Sequence, residues 1–210
     1  MERPREAPRP VGGAAAGSVA VFVVATAAGA IARSGLAGSP VPVPGSPGVA
    51  EYFAAHPVQV LVSGAAALVA AAALAVLGVA FAMAMPLPAR TRIAHWGAVV
   101  MLGVAGVGAL VLAVLGSVLA PAGVQGVYTL TALAGGVLHV ATLGLYLALL
   151  ARSYAWSPAV RVLGAIAGWF AVACLLTIGV RELAAVTALA WVACLLWLVV
   201  AAHQVAFRQR

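Results

Sequence analysis

The sequence predicts an all-α membrane protein, a polytopic bundle of about six transmembrane helices with both termini in the cytoplasm. Of the 210 residues, 65% are hydrophobic and only 7% are charged, and the mean hydropathy is +1.16. A soluble domain of this size carries several times more charge on its surface. Six spans of about 20 residues each occupy most of the chain, which leaves no room between them for a soluble domain.

Apolar runs separated by arginine, proline and glycine give the positions of the spans within residues 11–205. Outside the bundle we predict a cytoplasmic arm at residues 1–10 and a cytoplasmic tail at residues 206–210. The spans are predicted at residues 11–33, 58–85, 93–119, 128–151, 160–179 and 183–203. As one helix, residues 159–202 would be about twice as long as the membrane is thick, so they form a hairpin that turns at Gly179.

The longest connection, the Pro/Gly-rich outer loop 34–57, changes character halfway. Ser46-Pro47 is a favourable helix start, because proline is well tolerated in the first turn. Residues 49–56 then give one or two helical turns in which Tyr52 and Phe53 suit the membrane interface.

The first apolar run has a second interpretation as a cleaved secretory signal peptide, since a basic segment precedes it and Ala-x-Ala sequences end it. Its apolar length of about 20 residues exceeds the usual 7 to 15 of a signal sequence. We therefore expect a retained span.

Orientation follows from the basic residues, all eleven of which are arginine. With the N-terminus inside, nine arginines lie in the cytoplasm, and only Arg33 and Arg181 lie outside. The chain lacks lysine, aspartate and asparagine and is rich in alanine, which indicates a GC-rich bacterial genome. We expect a multi-pass protein of the bacterial plasma membrane.

The fourth predicted span carries a row of polar and small side chains on one helix face. These residues follow one another at intervals of three or four: Tyr128, Thr131, Gly135, His139, Thr142 and Tyr146. An ionisable residue near the membrane midplane faces the bundle interior and marks a pathway or a site. The functional hypothesis is a proton or small-solute relay through His139. The alternative is a neutral imidazole that bonds a neighbouring helix and only holds the bundle together.

Two further groups are candidates for chemistry. The outer face brings together polar residues that could bind a ligand, or that are ordinary solvated loop ends: Arg33, Glu51, His56, Gln125, Arg181 and Glu182. His95 and His203 lie at similar depth near the cytoplasmic ends of their spans, which makes them the one candidate pair of haem ligands. Apart from that pair, we expect no cofactor and no metal site.

Small residues supply the predicted helix contacts, among them the Gly164-x-x-x-Gly168 pair, which we assign to packing inside the bundle rather than to dimerisation. Cys174 and Cys194 are expected to stay unpaired, because their predicted depths differ by about 7 to 8 Å. We see no clearly broken helix in either half of the chain.

Two stretches resemble a known family. Residues 51–57 (EYFAAHP) lead directly into an Ala/Leu-rich span, and residues 145–152 (LYLALLAR) precede Ser157-Pro158 and residues 162–164 (VLG). Together they resemble six-helix actinobacterial membrane proteins that are classified only as a domain of unknown function. The resemblance implies six spans and no particular activity.

No sequence signature of an enzyme is present, since the chain contains no HExxH, GxSxG or P-loop motif. The sequence therefore favours a non-enzymatic accessory or structural subunit, with membrane lipids and other membrane-protein subunits as partners and no nucleic acid. A small-solute or proton-coupled transporter built on the fourth span is the alternative, and a haem-binding redox subunit is the third possibility.

Overall fold

A computed structural model describes residues 10–34, 43–153, 156–178 and 184–207. Within these residues there is no strand, and six helices are long and apolar enough to cross a membrane. They are Val11–Arg33, Pro57–Ala84, Ala89–Leu115, Pro121–Leu150, Pro158–Leu176 and Ala185–Phe207. The predicted all-α membrane bundle is confirmed, whereas the direction in which it crosses the membrane stays a prediction.

Seven α-helices and two irregular helical segments build these spans, and an eighth, short α-helix lies between the first and second spans. The α-helices are α1 (Pro10–Arg33), α2 (Val49–Ala55), α3 (Pro57–Ala84), α4 (Ala89–Leu115), α5 (Pro121–Leu133), α6 (His139–Leu150), α7 (Pro158–Ala173) and α8 (Ala184–Phe207). A π-helical segment (Ala134–Leu138) joins α5 to α6, and a 3-10 turn (Cys174–Thr177) follows α7.

The spans form a closed ring in which each packs against its neighbours in sequence. Helix α1 packs on α3, α3 on α4, α4 on α6, α6 on α7 and α7 on α8, and α8 returns to α1. Leu74, Phe81, Leu143, Tyr146 and Leu198 fill the centre of the ring. Because the spans alternate in direction, α1 ends and α3 begins at one end of the bundle. We call this end, where α2 lies, the α2 end, and the other the opposite end.

Prolines place two span boundaries differently from the prediction. Helix α4 begins at Ala89, directly after Pro88, rather than at residue 93. Pro121 occupies the first turn of α5, so the fourth span begins there and not at Tyr128. Proline needs no backbone donor in the first turn of a helix, so Pro121 starts the fourth span.

The helix predicted at residues 49–56 is present as α2, but Ser46-Pro47 does not start it. Gly48 precedes the helix with φ +82°, a left-handed conformation that glycine adopts without strain. The first helical residue is therefore Val49. Tyr52 and Phe53 are buried, and the Phe53 ring lies 4.9 Å from the ring of Tyr128 on α5. The short helix thereby covers the beginning of the fourth span.

The expectation that no helix is broken is wrong for the fourth span. Helix α5 ends at Leu133, and the π-helical segment contains Gly136 with φ −94° and ψ −114°, which is not helical. The i→i+4 ladder is therefore interrupted in the middle of the membrane-spanning segment.

The fifth span also departs from the prediction, because α7 gives way to the 3-10 turn after Ala173, earlier than expected. Gly179, the predicted turning point of the hairpin, lies outside the described residues. Cys174 and Cys194 are both buried and form no disulfide bond, as expected.

Glycines allow the closest helix contacts. A Cβ atom on Gly168 would lie 2.6 Å from Ala148 N and from Gly144 O, so α6 and α7 touch along their backbones. A Cβ atom on Gly164 would lie 2.5 Å from the indole of Trp197 on α8. Both glycines of the predicted pair therefore serve packing within the bundle.

We expect Gly168→Ala to lower the stability of the bundle by about 1 to 3 kcal/mol, because the added methyl group must separate α6 from α7. The matched change Gly103→Ala places its methyl group where no described atom lies within 4 Å, so it should raise stability by about 0.5 to 1 kcal/mol through helix propensity. Unfolding in detergent, followed by tryptophan fluorescence, measures both. Equal stability of the two variants would contradict the backbone contact.

Candidate functional site

A cavity of about 340 Å³ lies between α1, α3, α4, the fourth span and α8. It extends from Arg33, Phe53 and Gln59 at the α2 end inward to Leu102 and His139. The remaining lining residues are Ala25, Thr26, Gly29, Ala32, Val60, Ser63, Ala67, Ala105, Ala109, Leu112, Tyr128, Thr131, Ala132, Gly135, Gly136 and Trp191. Most of the wall is apolar, with a few polar groups, as in small-molecule sites.

Small side chains on facing helices create this space. Ala25 and Gly29 of α1, Ala67 of α3, and Ala105 and Ala109 of α4 all line the cavity. On the fourth span the π-helical segment contributes Gly135 and Gly136 at the same level. No large side chain fills the gap between these walls, so the ring stays open here while it is closely packed elsewhere.

His139 is the most deeply buried polar residue of the cavity, with a side chain only 1% exposed. Its Nδ1 donates a hydrogen bond to the carbonyl oxygen of Ala98 on α4, at 3.0 Å. Because a carbonyl oxygen can only accept, this bond places the proton on Nδ1 and leaves Nε2 as an acceptor. Nε2 is buried and has no hydrogen-bond partner. One residue of the cavity wall, His139, therefore carries a buried acceptor that lacks a donor.

Arg33 is the charged residue of the cavity wall. It is the last residue of α1, and its Nη1 donates to Ser63 Oγ on α3 at 3.1 Å. Beside it, the Gln59 amide donates to the carbonyl oxygen of Ala32. No acidic side chain is among the described residues that line the cavity. The α2 end of the cavity is therefore rich in donors and positively charged.

The threonine hydroxyls of the cavity bond to their own helices. Thr131 Oγ1 donates to the carbonyl oxygen of Val127 at 2.7 Å, and Thr26 Oγ1 donates to that of Phe22 at the same distance. Thr131 also packs against α4, where a Cβ atom on Gly108 would lie 2.1 Å from its hydroxyl. These hydroxyls are satisfied as donors, so they offer a solute only acceptor capacity.

The polar face predicted on the fourth span divides into two parts. Tyr128, Thr131, Gly135 and His139 line the cavity. Thr142 and Tyr146 lie beyond it, toward the opposite end. The Thr142 hydroxyl donates to the carbonyl oxygens of Leu138 and His139 at 2.8 and 3.0 Å.

Tyr146 is buried in the layer beneath His139. Its hydroxyl has no hydrogen-bond partner, and its ring lies 5.0 Å from that of His95. The predicted helix face therefore continues past the cavity into a packed, aromatic part of the core.

The described members of the predicted outer-face cluster lie in different surroundings. Of its described members, Arg33 lines the cavity, whereas Glu51 is exposed on α2. Gln125 Nε2 lies 3.4 Å from the Thr129 hydroxyl in its own helix. Arg181 and Glu182 lie outside the described residues.

His56, another member of that cluster, is engaged locally. Its ring stacks on Tyr52 at 4.5 Å, and its Nδ1 bonds the carbonyl oxygen of the same residue at 3.0 Å. Burial of Tyr52 raises the pKa of the phenol above its ordinary value, so this pair presents no charged phenolate. The two rings form an aromatic contact at the membrane interface.

The candidate haem ligands are not brought together. His95 is buried, and its Nε2 bonds the carbonyl oxygen of Leu74 at 2.9 Å. His203 is exposed on α8, where its ring lies 4.1 Å from that of Phe207. Helices α4 and α8 are not neighbours in the ring. Over the described part of the chain, no cluster of three His, Cys, Asp or Glu side chains could hold a metal ion.

Four residues that were not predicted as site residues also line the cavity: Thr26, Gln59, Ser63 and Trp191. A signal was present for two of them. Gln59, Ser63 and Ala67 follow one another at intervals of four, which gives α3 a polar and small face toward the fourth span. Nothing comparable marks Thr26 or Trp191 in the sequence.

The chain was compared with protein-family models, curated proteins and solved structures, and none of them matches. The resemblance to six-helix actinobacterial proteins of unknown function stays a prediction.

We expect Tyr146→Phe to leave stability unchanged or to raise it slightly, because the hydroxyl it removes is buried without a partner. As a control, Trp156→Phe removes the indole N–H that donates to the carbonyl oxygen of Leu150 at 2.9 Å, and should cost about 1 to 3 kcal/mol. Unfolding in detergent compares the two. A loss of stability in Tyr146→Phe would mean that buried water holds the hydroxyl and that the layer beneath His139 is wet.

Proposed function

We propose that this multi-pass membrane protein is a carrier that binds a small solute in the cavity between α1, α3, α4 and the fourth span. One observation carries the proposal: His139 lines a cavity of about 340 Å³, and its Nε2 atom is a buried acceptor without a hydrogen-bond partner. Leaving such an acceptor unpaired costs about 1 to 3 kcal/mol, and a solute that donates a hydrogen bond recovers it. The volume lies within the usual range for small-molecule sites.

The surroundings of the cavity support a carrier more than a static binding protein. The π-helical segment interrupts the fourth span at the cavity, and discontinuous helices form the substrate sites of many transporters. Toward the opposite end, the His95 ring contacts that of Tyr146, and the Trp156 ring contacts those of Phe81 and Trp197. A site that communicates with one end and is closed toward the other is what alternating access requires.

The accessory-subunit hypothesis started from the near absence of polar groups in the spans. Several of them, Thr26, Ser63, Thr131 and His139, line the cavity rather than an outer surface. This favours a solute over a protein partner. A bacterial plasma-membrane location, with the α2 end outside, remains part of the proposal and follows from the arginine distribution.

The proposal predicts that water reaches Thr131. In a background with Cys174→Ala and Cys194→Ala, Thr131→Cys should react with a charged, membrane-impermeant thiol reagent added from the α2 end. Leu130→Cys is the matched control at the same depth, because Leu130 is 59% exposed on the outside of the bundle, where lipid excludes the reagent. We expect Thr131→Cys to react at least about tenfold faster, since only a hydrated thiol gives the reactive thiolate.

The reagent is applied separately to each face of the membrane, in intact cells and in inverted vesicles. Reaction from the outer face alone would support both the carrier and the predicted orientation. Reaction from the inner face alone would keep the carrier and reverse the orientation. Equal, slow reaction of the two variants would mean that the cavity is dry, and the carrier proposal would then be wrong.

A further inference from the structure

The two ends of the cavity differ in chemistry, and we propose that they select a small organic anion. Its apolar body would carry an uncharged hydrogen-bond donor, a hydroxyl or an amide N–H, at the end remote from the anionic group. The inference rests on the proposed function, because it names the class of solute that the same cavity takes.

Arg33 selects the anionic end. A guanidinium presents five N–H donors, and the structure assigns one of its nitrogens to Ser63 Oγ. Glu51, the one acidic residue in the described part of the chain, is exposed and does not line the cavity. The mouth of the cavity thus carries a positive charge with no carboxylate in its wall. A solute carboxylate can accept two parallel hydrogen bonds from such a group.

His139 selects the donor end. Since Nδ1 is bonded to Ala98 O, the free nitrogen can only accept, and a solute group at this depth must donate. The hydroxyl of Thr131 gives its proton to its own helix and cannot satisfy Nε2. An ammonium group would also donate, but a cation deep in the membrane without a counter-charge is costly. An uncharged donor is therefore favoured.

The wall between these two ends selects the apolar body. Val60, Leu102, Leu112, Phe53 and Trp191 lie along it. On α4 the lining residues run from Leu102 to Leu112, which corresponds to about 15 Å of helix. The long side chain of Arg33 shortens the gap that a solute must span. An aromatic hydroxy acid has the required order of anion, flat apolar ring and donor.

Three probe compounds distinguish the preference for an anion at Arg33 from the preference for a donor at His139. The compound 4-hydroxyphenylacetate has both end groups, phenylacetate lacks the donor, and tyramine replaces the anion by a cation. Binding is measured by calorimetry on the full chain in phosphatidylcholine nanodiscs. We expect 4-hydroxyphenylacetate to bind about tenfold more tightly than phenylacetate, since the latter leaves Nε2 unpaired. Tyramine should bind weakest.

Two variants assign each preference to a residue. His139→Asn keeps a donor for Ala98 O but removes the acceptor at Nε2, so it should abolish the tenfold preference for the hydroxyl and leave phenylacetate unchanged. Arg33→Gln should weaken both anions at least about tenfold and should not weaken tyramine, because it removes a positive charge. Thr142→Val is the control on the same predicted helix face but beyond the cavity, where its hydroxyl bonds only to its own helix, and it should alter none of the three. Gel filtration establishes that each variant is folded.

The outcomes separate this inference from the carrier proposal. If tyramine binds best, or if Arg33→Gln has no effect because lipid headgroups occupy the arginine, the anion class is wrong. If none of the probes binds while Thr131→Cys still reacts from one face, the solute class is wrong and the carrier remains. If Thr131→Cys is unreactive, the proposed function itself fails.

Discussion

Where Gly144 of α6 meets Gly168 of α7, two helix backbones touch, and a methyl group on either glycine would lie within 2.6 Å of the other helix. Contacts of this kind hold the helices of the bundle together. Lipid gives apolar helices little reason to associate, so close van der Waals packing must supply the attraction. The same rule operates between α3 and α4, where a Cβ atom on Gly64 would lie 3.0 Å from Gly106 O. The ring of spans depends on having almost no side chain at these crossings.

The cavity is the other consequence of building helices from small residues. At the glycine crossings the backbones close the gap themselves. Around Ala67, Ala105 and Ala132 they do not, because the π-helical segment alters the course of the fourth span at this level. The chain offers no large side chain to fill the space. Small residues therefore account for both the helix packing and the cavity. Where the helices are straight, small residues let the backbones touch, and where the fourth span is interrupted they leave a cavity.

Hydropathy and arginine spacing predicted the six spans, because burial in lipid imposes a length and a composition that are visible in one dimension. The face of Tyr128, Thr131 and His139 was also predictable, since helical periodicity puts these residues on one side. The break at Gly136 was not, because glycine is common throughout the chain and the conformation follows from tertiary packing. The haem pair failed for a related reason: depth can be estimated from sequence, but whether α4 and α8 are neighbours cannot.

The two deeply buried histidines show why one indicates a site and the other does not. His95 and His139 each bond a backbone carbonyl of an adjacent span, and in both cases that bond helps to hold two helices together. The His95 ring is pressed into α3, where a Cβ atom on Gly78 would lie 2.1 Å from its Nε2, and it packs against Trp96 and Tyr146. This is the arrangement expected of a packing residue. His139 instead borders open space with a second nitrogen that no protein group satisfies. If His139 only held helices together, an apolar residue of similar size would avoid the free-energy cost of an unpaired buried acceptor. The acceptor at Nε2 is therefore the feature that indicates a bound solute.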